Sequence, residues 1–97
     1  MEKLRIEIRY FAISREATNT SHETLFLPKK STLKTLIELL SEKYPKTLRS
    51  YIFDEAGKPL FYLSYFINGK NVHTLYGFDT EIIDGDVVMI VPSILGG

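Results

Sequence analysis

The chain has 97 residues, with 12 Lys and Arg against 12 Asp and Glu, so its net charge is near zero. This length suits one domain with one core, and the balanced charge provides no basic surface for nucleic acid. The sequence has no cysteine, which excludes disulfides, thiolate metal sites and a cysteine nucleophile or persulfide within this chain.

The first strand is predicted from "KLRIEIRYF", in which apolar and charged residues alternate with period two. The next segment, "ISREATNTSH", is polar and is predicted to be a loop, while "ETLFLP" predicts a second strand that closes a hairpin. The charged start of the chain does not resemble a signal peptide, and no uncharged stretch approaches the ~20 residues of a membrane span. We therefore expect a cytoplasmic, single-domain protein over residues 1–97, with no membrane partner.

One amphipathic helix is predicted from "STLKTLIELLSEKYP". Ser31 or Thr32 is a suitable N-cap, and Pro45 disfavours helical geometry at Tyr44 and ends the helix there. The apolar stripe expected to pack on a sheet is Leu33, Leu36, Ile37, Leu40 and Tyr44. The opposite side, expected to face solvent, is Lys34, Thr35, Glu38, Ser41 and Glu42.

The rest of the chain predicts a short helical turn, a surface loop at Asp54–Pro59 and three further strands. "LFYLSYFI" leads into a tight turn at Asn68–Gly69, "KNVHTL" is a short return strand, and "VVMIV" follows a turn at "DGD". The order β-β-α-β-β-β with one helix favours an α+β fold with a mixed sheet. The first and last strands are the best candidates for a parallel central pair.

The acidic residues Asp79, Glu81, Asp84 and Asp86 lack the full spacing of a calcium loop, and Asp-Gly-Asp is common turn chemistry. His22 and His73 are isolated, so no metal site is predicted. The sequence contains no nucleophile elbow and no phosphate-binding glycine loop. These observations predict a protein that is not an enzyme.

The strand "FYLSYF" contains four aromatic residues. If Leu63, Tyr65 and Ile67 face the core, Tyr62 and Phe66 lie exposed on the opposite face. An exposed apolar patch on a small domain favours a protein partner. Nucleic acid is disfavoured because no basic stripe surrounds the rings.

The sequence ends in "PSILGG", an extended tail over residues 92–97. Gly96 and Gly97 have no Cβ atoms and can pass through a narrow channel, so that the carboxylate of Gly97 arrives at its end. A carboxylate becomes a good acyl donor when it forms a mixed anhydride with AMP, which a sulfur donor or a lysine amine then captures. A disordered tail is the alternative. The residues expected to enter a partner's groove are Pro92, Ser93, Ile94 and Leu95.

The segment "FINGKNVHTLYGFDTEIIDGDVVMIVPSILGG" resembles the C-terminal half of the ubiquitin-like sulfur carriers. That family includes the molybdopterin-synthase small subunit (MoaD), the thiamin carrier ThiS and the ubiquitin-related modifiers of archaea and eukaryotes. The N-terminal strand, the helix and the "FDEAGKPL" loop match in order and type, so the resemblance covers nearly the whole chain. The matching pieces are the Asn68–Gly69 turn, Leu75 to Asp79, "DGD", the strand 87–91, Pro92 and the closing diglycine.

The resemblance implies a β-grasp fold, with one main helix packed on one face of a mixed sheet of four to five strands. It also implies a carrier, not a catalyst, that binds no cofactor. In the family, an adenylyltransferase of the ubiquitin-activating type uses ATP to adenylate the terminal glycine, here Gly97, and a sulfurtransferase relay gives a thiocarboxylate. In the molybdopterin branch the tail inserts into the large synthase subunit and donates sulfur to a pterin precursor.

Two features leave the branch open. The length and the "TLYGFDT" segment look more like the archaeal and eukaryotic modifiers, and "PSILGG" has one proline where many molybdopterin subunits have two. A sulfur carrier for molybdenum or tungsten pterin cofactor synthesis is the first hypothesis. The alternatives are a protein modifier joined to lysines of target proteins through Gly97, a carrier for tRNA thiolation or thiamin synthesis, and an interaction domain whose tail is incidental.

Overall fold

The computed structural model describes residues 3–58, 60 and 63–92. Two 3₁₀ turns, Val72–Thr74 and Gly77–Asp79, precede the last strand. The helices and strands are, in chain order, β1 Lys3–Tyr10, α1 Ile13–Thr18, β2 His22–Pro28, α2 Leu33–Lys43, α3 Leu48–Ile52, β3 Leu63–Ile67, β4 Lys70–Asn71 and β5 Val87–Pro92.

The strands form one mixed sheet in the order β2-β1-β5-β3-β4. β1 and β5 are parallel, with Glu7 opposite Val87 and Tyr10 opposite Ile90, and the other neighbouring strands are antiparallel. The predicted α+β class and the parallel central pair are therefore confirmed. The parallel pairing places the C-terminal ends of β1 and β5 at the same edge of the sheet.

Helix α2 covers one face of the sheet, as its apolar stripe predicted. Thr32 is the N-cap, and its backbone N–H donates to Thr35 Oγ1 at 3.3 Å. Tyr44 ends the helix before Pro45 and is half-buried. Ser41, which was expected to face solvent, is buried, and burial is tolerated because its hydroxyl donates to the Glu38 carbonyl at 2.8 Å. The fully buried part of the stripe is Leu33, Leu36, Ile37 and Leu40.

Two local predictions were wrong. The segment expected to be a loop contains helix α1, which buries Ser14 and Thr18. The return strand after the Asn68–Gly69 turn is only two residues long. It stops because Asn71 Oδ1 accepts a hydrogen bond from the His73 N–H at 2.9 Å, which caps a 3₁₀ turn.

Within the described ranges, none of the helices has the length and apolar character needed to cross a membrane.

Candidate functional site

Strand β5 leads directly to the predicted tail. It lies at the centre of the sheet, and its last residue, Pro92, is opposite Leu63 of β3. The predictions for Tyr62, Ser93, Ile94, Leu95, Gly96 and Gly97 fall outside the described residues and stay predictions. The structure therefore defines the root from which the tail departs.

Helix α1 holds this root. The carbonyl oxygen of Ile90 accepts a hydrogen bond from the Phe11 N–H at 3.2 Å. The buried Ser14 hydroxyl lies 2.8 Å from the carbonyl oxygens of both Phe11 and Ile90 and accepts from the Phe11 N–H at 2.9 Å. Its single proton is shared between the two carbonyls. A short helix that sequence patterns did not reveal thus fixes β5 two residues before Pro92.

The Asp-Gly-Asp turn holds the other end of β5. Asp84 Oδ1 accepts from the Arg5 N–H at 2.7 Å. The buried Asp86 carboxylate accepts from Asn68 Nδ2 and from the Ile83 N–H, both at 2.8 Å. These bonds support the prediction that the two aspartates shape a turn, and no group of three or more candidate metal ligands occurs within 3–58, 60 and 63–92.

The turn at Asn68–Gly69 belongs to the same hydrogen-bonded unit. Asn68 has φ of 51° and Gly69 has φ of 85°, the left-handed geometry that the Asn-Gly pair predicted. Asn68 Oδ1 accepts from the Val87 N–H at 2.9 Å. Strands β3 and β5 are therefore locked in register at the end opposite the tail.

The sheet face opposite α2 presents an apolar strip on β3 and β5. Phe66 of β3 is directly opposite Met89, which in turn is opposite Arg9 of β1. Leu63, Tyr65 and Ile67 are buried, as expected, whereas Phe66 is half-buried, not fully exposed. The reason is that Met89 and Asn71 flank it on both sides. We call Phe66, Val87, Met89 and Val91 the sheet strip.

Charged residues border the sheet strip on β1. Arg9 Nε donates to Glu7 Oε2 at 2.5 Å, and this hydrogen bond lowers the pKa of Glu7 below its ordinary value of 4.5. Both side chains remain accessible to solvent. Protein-binding surfaces typically have an apolar centre and a polar rim, and the sheet strip with its neighbouring charged pair has this arrangement.

A hydrogen-bonded cluster around Glu23 joins β2 to β1 and to the end of α2. The hydroxyls of Tyr10 and Tyr44 donate to Glu23 Oε2 at 2.6 and 2.7 Å, and the Lys43 ammonium group donates to Oε1. Burial by itself raises the pKa of Glu23, but the donors from Lys43, Tyr10 and Tyr44 outweigh it and lower that pKa below 4.5. Burial and then the Glu23 carboxylate raise the pKa of Tyr44 to about 12.

Sequence reasoning missed this cluster, although a signal was present. Glu23 lies opposite Ile8 and so occupies an inward-facing position of β2. A carboxylate at an inward position needs hydrogen-bond donors. The two tyrosines and Lys43 supply them from β1 and from the end of α2.

The fold and the tail root define the class of the protein. A five-stranded mixed sheet with parallel central strands, connected through a helix packed on one face, is the ubiquitin-like β-grasp architecture. The profile of the ThiS family matches residues 8–97. The chain therefore belongs to the ThiS family.

Three relatives illustrate the breadth of the similarity. A protein of Archaeoglobus fulgidus that carries the name of a sulfur carrier is 41% identical over 68 residues, which are 70% of this chain and 76% of that protein. The structure of small archaeal modifier protein 1 from Methanosarcina acetivorans has a TM-score of 0.84, with 26% identity and complete coverage of both chains. A Pyrococcus furiosus structure named as subunit 1 of a molybdopterin converting factor has a TM-score of 0.76 and 26% identity, and covers 94% of this chain and 99% of its own. The names describe small carrier or modifier proteins.

Proposed function

We propose that this protein is a sulfur carrier and that Gly97 is the group it presents. The observation that carries the proposal is that the family profile extends through residue 97, so Gly96 and Gly97 lie within the matched pattern. Two features of the fold support it. β5 is a central strand held at both ends, and it directs the chain toward those glycines from a fixed point.

The chemistry resides in the carboxylate of Gly97 and in the enzyme that activates it. A carboxylate oxygen attacks the α-phosphorus of ATP and pyrophosphate leaves, which gives an acyl adenylate. The terminal sulfur of a persulfide on a sulfurtransferase then bonds to the carbonyl carbon, and AMP leaves with the electron pair. A thiol reductant attacks the enzyme-side sulfur of the acyl persulfide, forms a disulfide with it and releases the acyl-bound sulfur. The product is a thiocarboxylate. This protein is then the substrate and carrier, the adenylyltransferase is the catalyst, and ATP is bound by that enzyme.

We assign the docking of partners to the sheet strip together with the tail. Phe66 and Met89 provide apolar area on β3 and β5, the two strands that meet at Pro92, three residues along each strand from that end. Glycines suit the narrow end of a channel that admits only backbone. The residues proposed to contact partners are Pro92, Ser93, Ile94, Leu95, Tyr62 and Phe66.

For the acceptor we propose a pterin precursor of the molybdenum or tungsten cofactor. The similarity to the Pyrococcus furiosus protein named for molybdopterin conversion supports this choice. The partner that receives the tail would then be the large subunit of molybdopterin synthase. The same thiocarboxylate chemistry also serves tRNA thiolation and thiamin synthesis, so these acceptors are the alternatives within the carrier hypothesis.

A second candidate function is a ubiquitin-like modifier. The similarity to small archaeal modifier protein 1, which spans the whole of both chains, favours it. In this case a lysine amine of a target protein attacks the adenylate and AMP leaves, so that an isopeptide bond forms at Gly97. Conjugate ladders that disappear when Gly97 is deleted would identify this function.

The proposal is tested by adding one alanine after Gly97 and measuring ATP–pyrophosphate exchange with the activating enzyme of the same organism. We expect exchange to be lost while the circular dichroism spectrum is unchanged, because the carboxylate no longer reaches the ATP. The matched control is Lys58→Ala in the exposed loop after α3, which should retain exchange. Full exchange with the extended chain would overturn the proposal.

A further inference from the structure

A small apolar cavity lies between β3 and the two 3₁₀ turns that follow β4. Its volume is about 240 Å³, and its walls include Leu60 and Leu63 on one side and Val72 and Phe78 on the other. Tyr65 also lines it, and His73 lies at its exposed rim.

The hydroxyl of Tyr65 is the unusual group here. Tyr65 is only 5% exposed, and its hydroxyl has no hydrogen-bond partner in the described part of the chain. Its ring is fixed edge-to-face against Phe78, with centroids 5.5 Å apart and planes at 72°. Buried phenol hydroxyls normally have a partner, so an orphaned one calls for an explanation. Burial raises the pKa of Tyr65, so this hydroxyl keeps its proton and is available as a donor.

Water alone does not explain the site well. A buried water molecule typically makes about three hydrogen bonds to protein groups. The cavity walls are mainly apolar side chains, so a water beside Tyr65 has few other polar partners. A molecule with an apolar body and one hydrogen-bond acceptor matches both the walls and the hydroxyl.

We propose that this cavity is a binding site for a small apolar molecule with one carbonyl-type oxygen that accepts a hydrogen bond from Tyr65. A cavity of about 150 Å³ holds benzene, so a volume of 240 Å³ suits a ligand of about nine or ten non-hydrogen atoms. Acetophenone has this size and chemistry and serves as the probe. The inference does not depend on the chemistry of Gly97, so failure of one proposal leaves the other intact.

The test is an NMR titration of the full chain with acetophenone and with α-methylstyrene, the isostere in which a methylene group replaces the oxygen. We expect millimolar affinity, as is usual for ligands of this size, and shift changes confined to the residues around Tyr65, Val72 and Phe78. Tyr65→Phe should weaken acetophenone about fivefold and leave α-methylstyrene unchanged. Tyr76→Phe, which removes a hydroxyl that is outside the cavity on a side chain 80% exposed, is the matched control and should change neither.

Tyr65→Phe should also leave the melting temperature unchanged or raise it, because no hydrogen bond is lost. The proposal is overturned if neither probe shifts the cavity resonances, which would indicate water alone. It is also overturned if acetophenone binds the wild type and Tyr65→Phe equally, or if the substitution lowers the melting temperature by several degrees. The comparison of the two probes on the wild-type chain remains decisive even if the variant folds poorly.

Discussion

The hydroxyl of Ser14 lies 2.8 Å from the carbonyl oxygen of Ile90, and this contact attaches helix α1 to the central strand two residues before Pro92. The contact joins residues 76 positions apart in the sequence. Strand β5 is therefore held by α1 as well as by its neighbouring strands β1 and β3. A buried serine therefore helps to hold the last residues of β5 in place.

Ser14→Ala should reveal a positioning role. Loss of a buried hydrogen bond costs about 1–2 kcal/mol of stability. If Ser14 also positions the tail root, the amides of Ile90 and Val91 should exchange with solvent faster. When the activating enzyme adenylates this protein as its substrate, the KM for the variant should then be several-fold higher, with little change in kcat.

The control for this prediction is Ser50→Ala, which removes an exposed hydroxyl that donates to the Thr47 carbonyl at 2.7 Å in α3. It should leave exchange at β5 and the KM unchanged. An unchanged KM in Ser14→Ala, despite the loss of stability, would reduce Ser14 to a purely structural residue.

Asp86→Asn should destabilise the fold by about 1–3 kcal/mol. Both oxygens of the Asp86 carboxylate accept hydrogen bonds, from Asn68 Nδ2 and from the Ile83 N–H. An asparagine would place an NH₂ group against one of these donors. Denaturant unfolding monitored by circular dichroism measures the effect.

Asp79→Asn is the matched control, because Asp79 belongs to the same acidic run but its side chain is exposed. It should change the free energy of unfolding by less than about 0.5 kcal/mol. Addition of Ca²⁺ or Mg²⁺ should not raise the melting temperature of the wild type. A rise that Asp86→Asn abolishes would instead identify the acidic run as a cation site.

Glu23→Gln should change how stability depends on pH. The folded-state pKa of Glu23 is lowered below 4.5, so its ionised form stabilises the fold at higher pH and this stabilisation is lost as the pH falls below 4.5. The variant lacks this titration. It should be less stable than the wild type at neutral pH, and the difference should shrink as the pH falls through the folded-state pKa.

Glu42→Gln, an exposed change next to Lys43 on α2, controls for altered net charge. It should leave the shape of the pH profile unchanged. If the difference between Glu23→Gln and the wild type stays constant from neutral to acidic pH, the cluster with Tyr10 and Tyr44 does not stabilise the fold through the charge on Glu23.

Phe66→Ser should weaken binding to the activating enzyme by tenfold or more, as expected for an aromatic side chain near the centre of an interface. Phe26→Ser is the matched control on the same sheet face. Phe26 is 56% exposed, but it lies opposite Arg5, at the end of the sheet far from Pro92. Isothermal titration calorimetry should show little change for Phe26→Ser. Equal losses for the two variants would contradict docking through the sheet strip.

Long-period patterns made most of the fold predictable. The alternation of apolar and charged residues in β1 and the helical stripe of α2 each repeat several times along the sequence. Such repetition makes the buried side of each element recognisable. The Asn68–Gly69 turn was predictable from two residues because few others tolerate positive φ. The central pairing of β1 with β5 followed from the order of elements and their apolar character.

Short, polar features were not predictable. Helix α1 has six residues, and its inward contacts are made by Ser14 and Thr18, which resemble loop residues in composition. The early end of β4 depends on one side-chain bond from Asn71. The Glu23 cluster requires donors from three elements, which only the folded chain brings together. These features depend on tertiary contacts that local patterns do not encode.

The role of Gly97 is measured by the intact mass of the protein after incubation with ATP, a sulfur source, a thiol reductant and the activating enzyme and sulfurtransferase of the same organism. A parallel sample lacks Gly97. We expect a mass gain equal to the exchange of one oxygen for one sulfur in the full chain and no gain in the truncated one. If the full chain shows no gain while the same enzymes modify another carrier, the assignment of Gly97 as a thiocarboxylate carrier is contradicted.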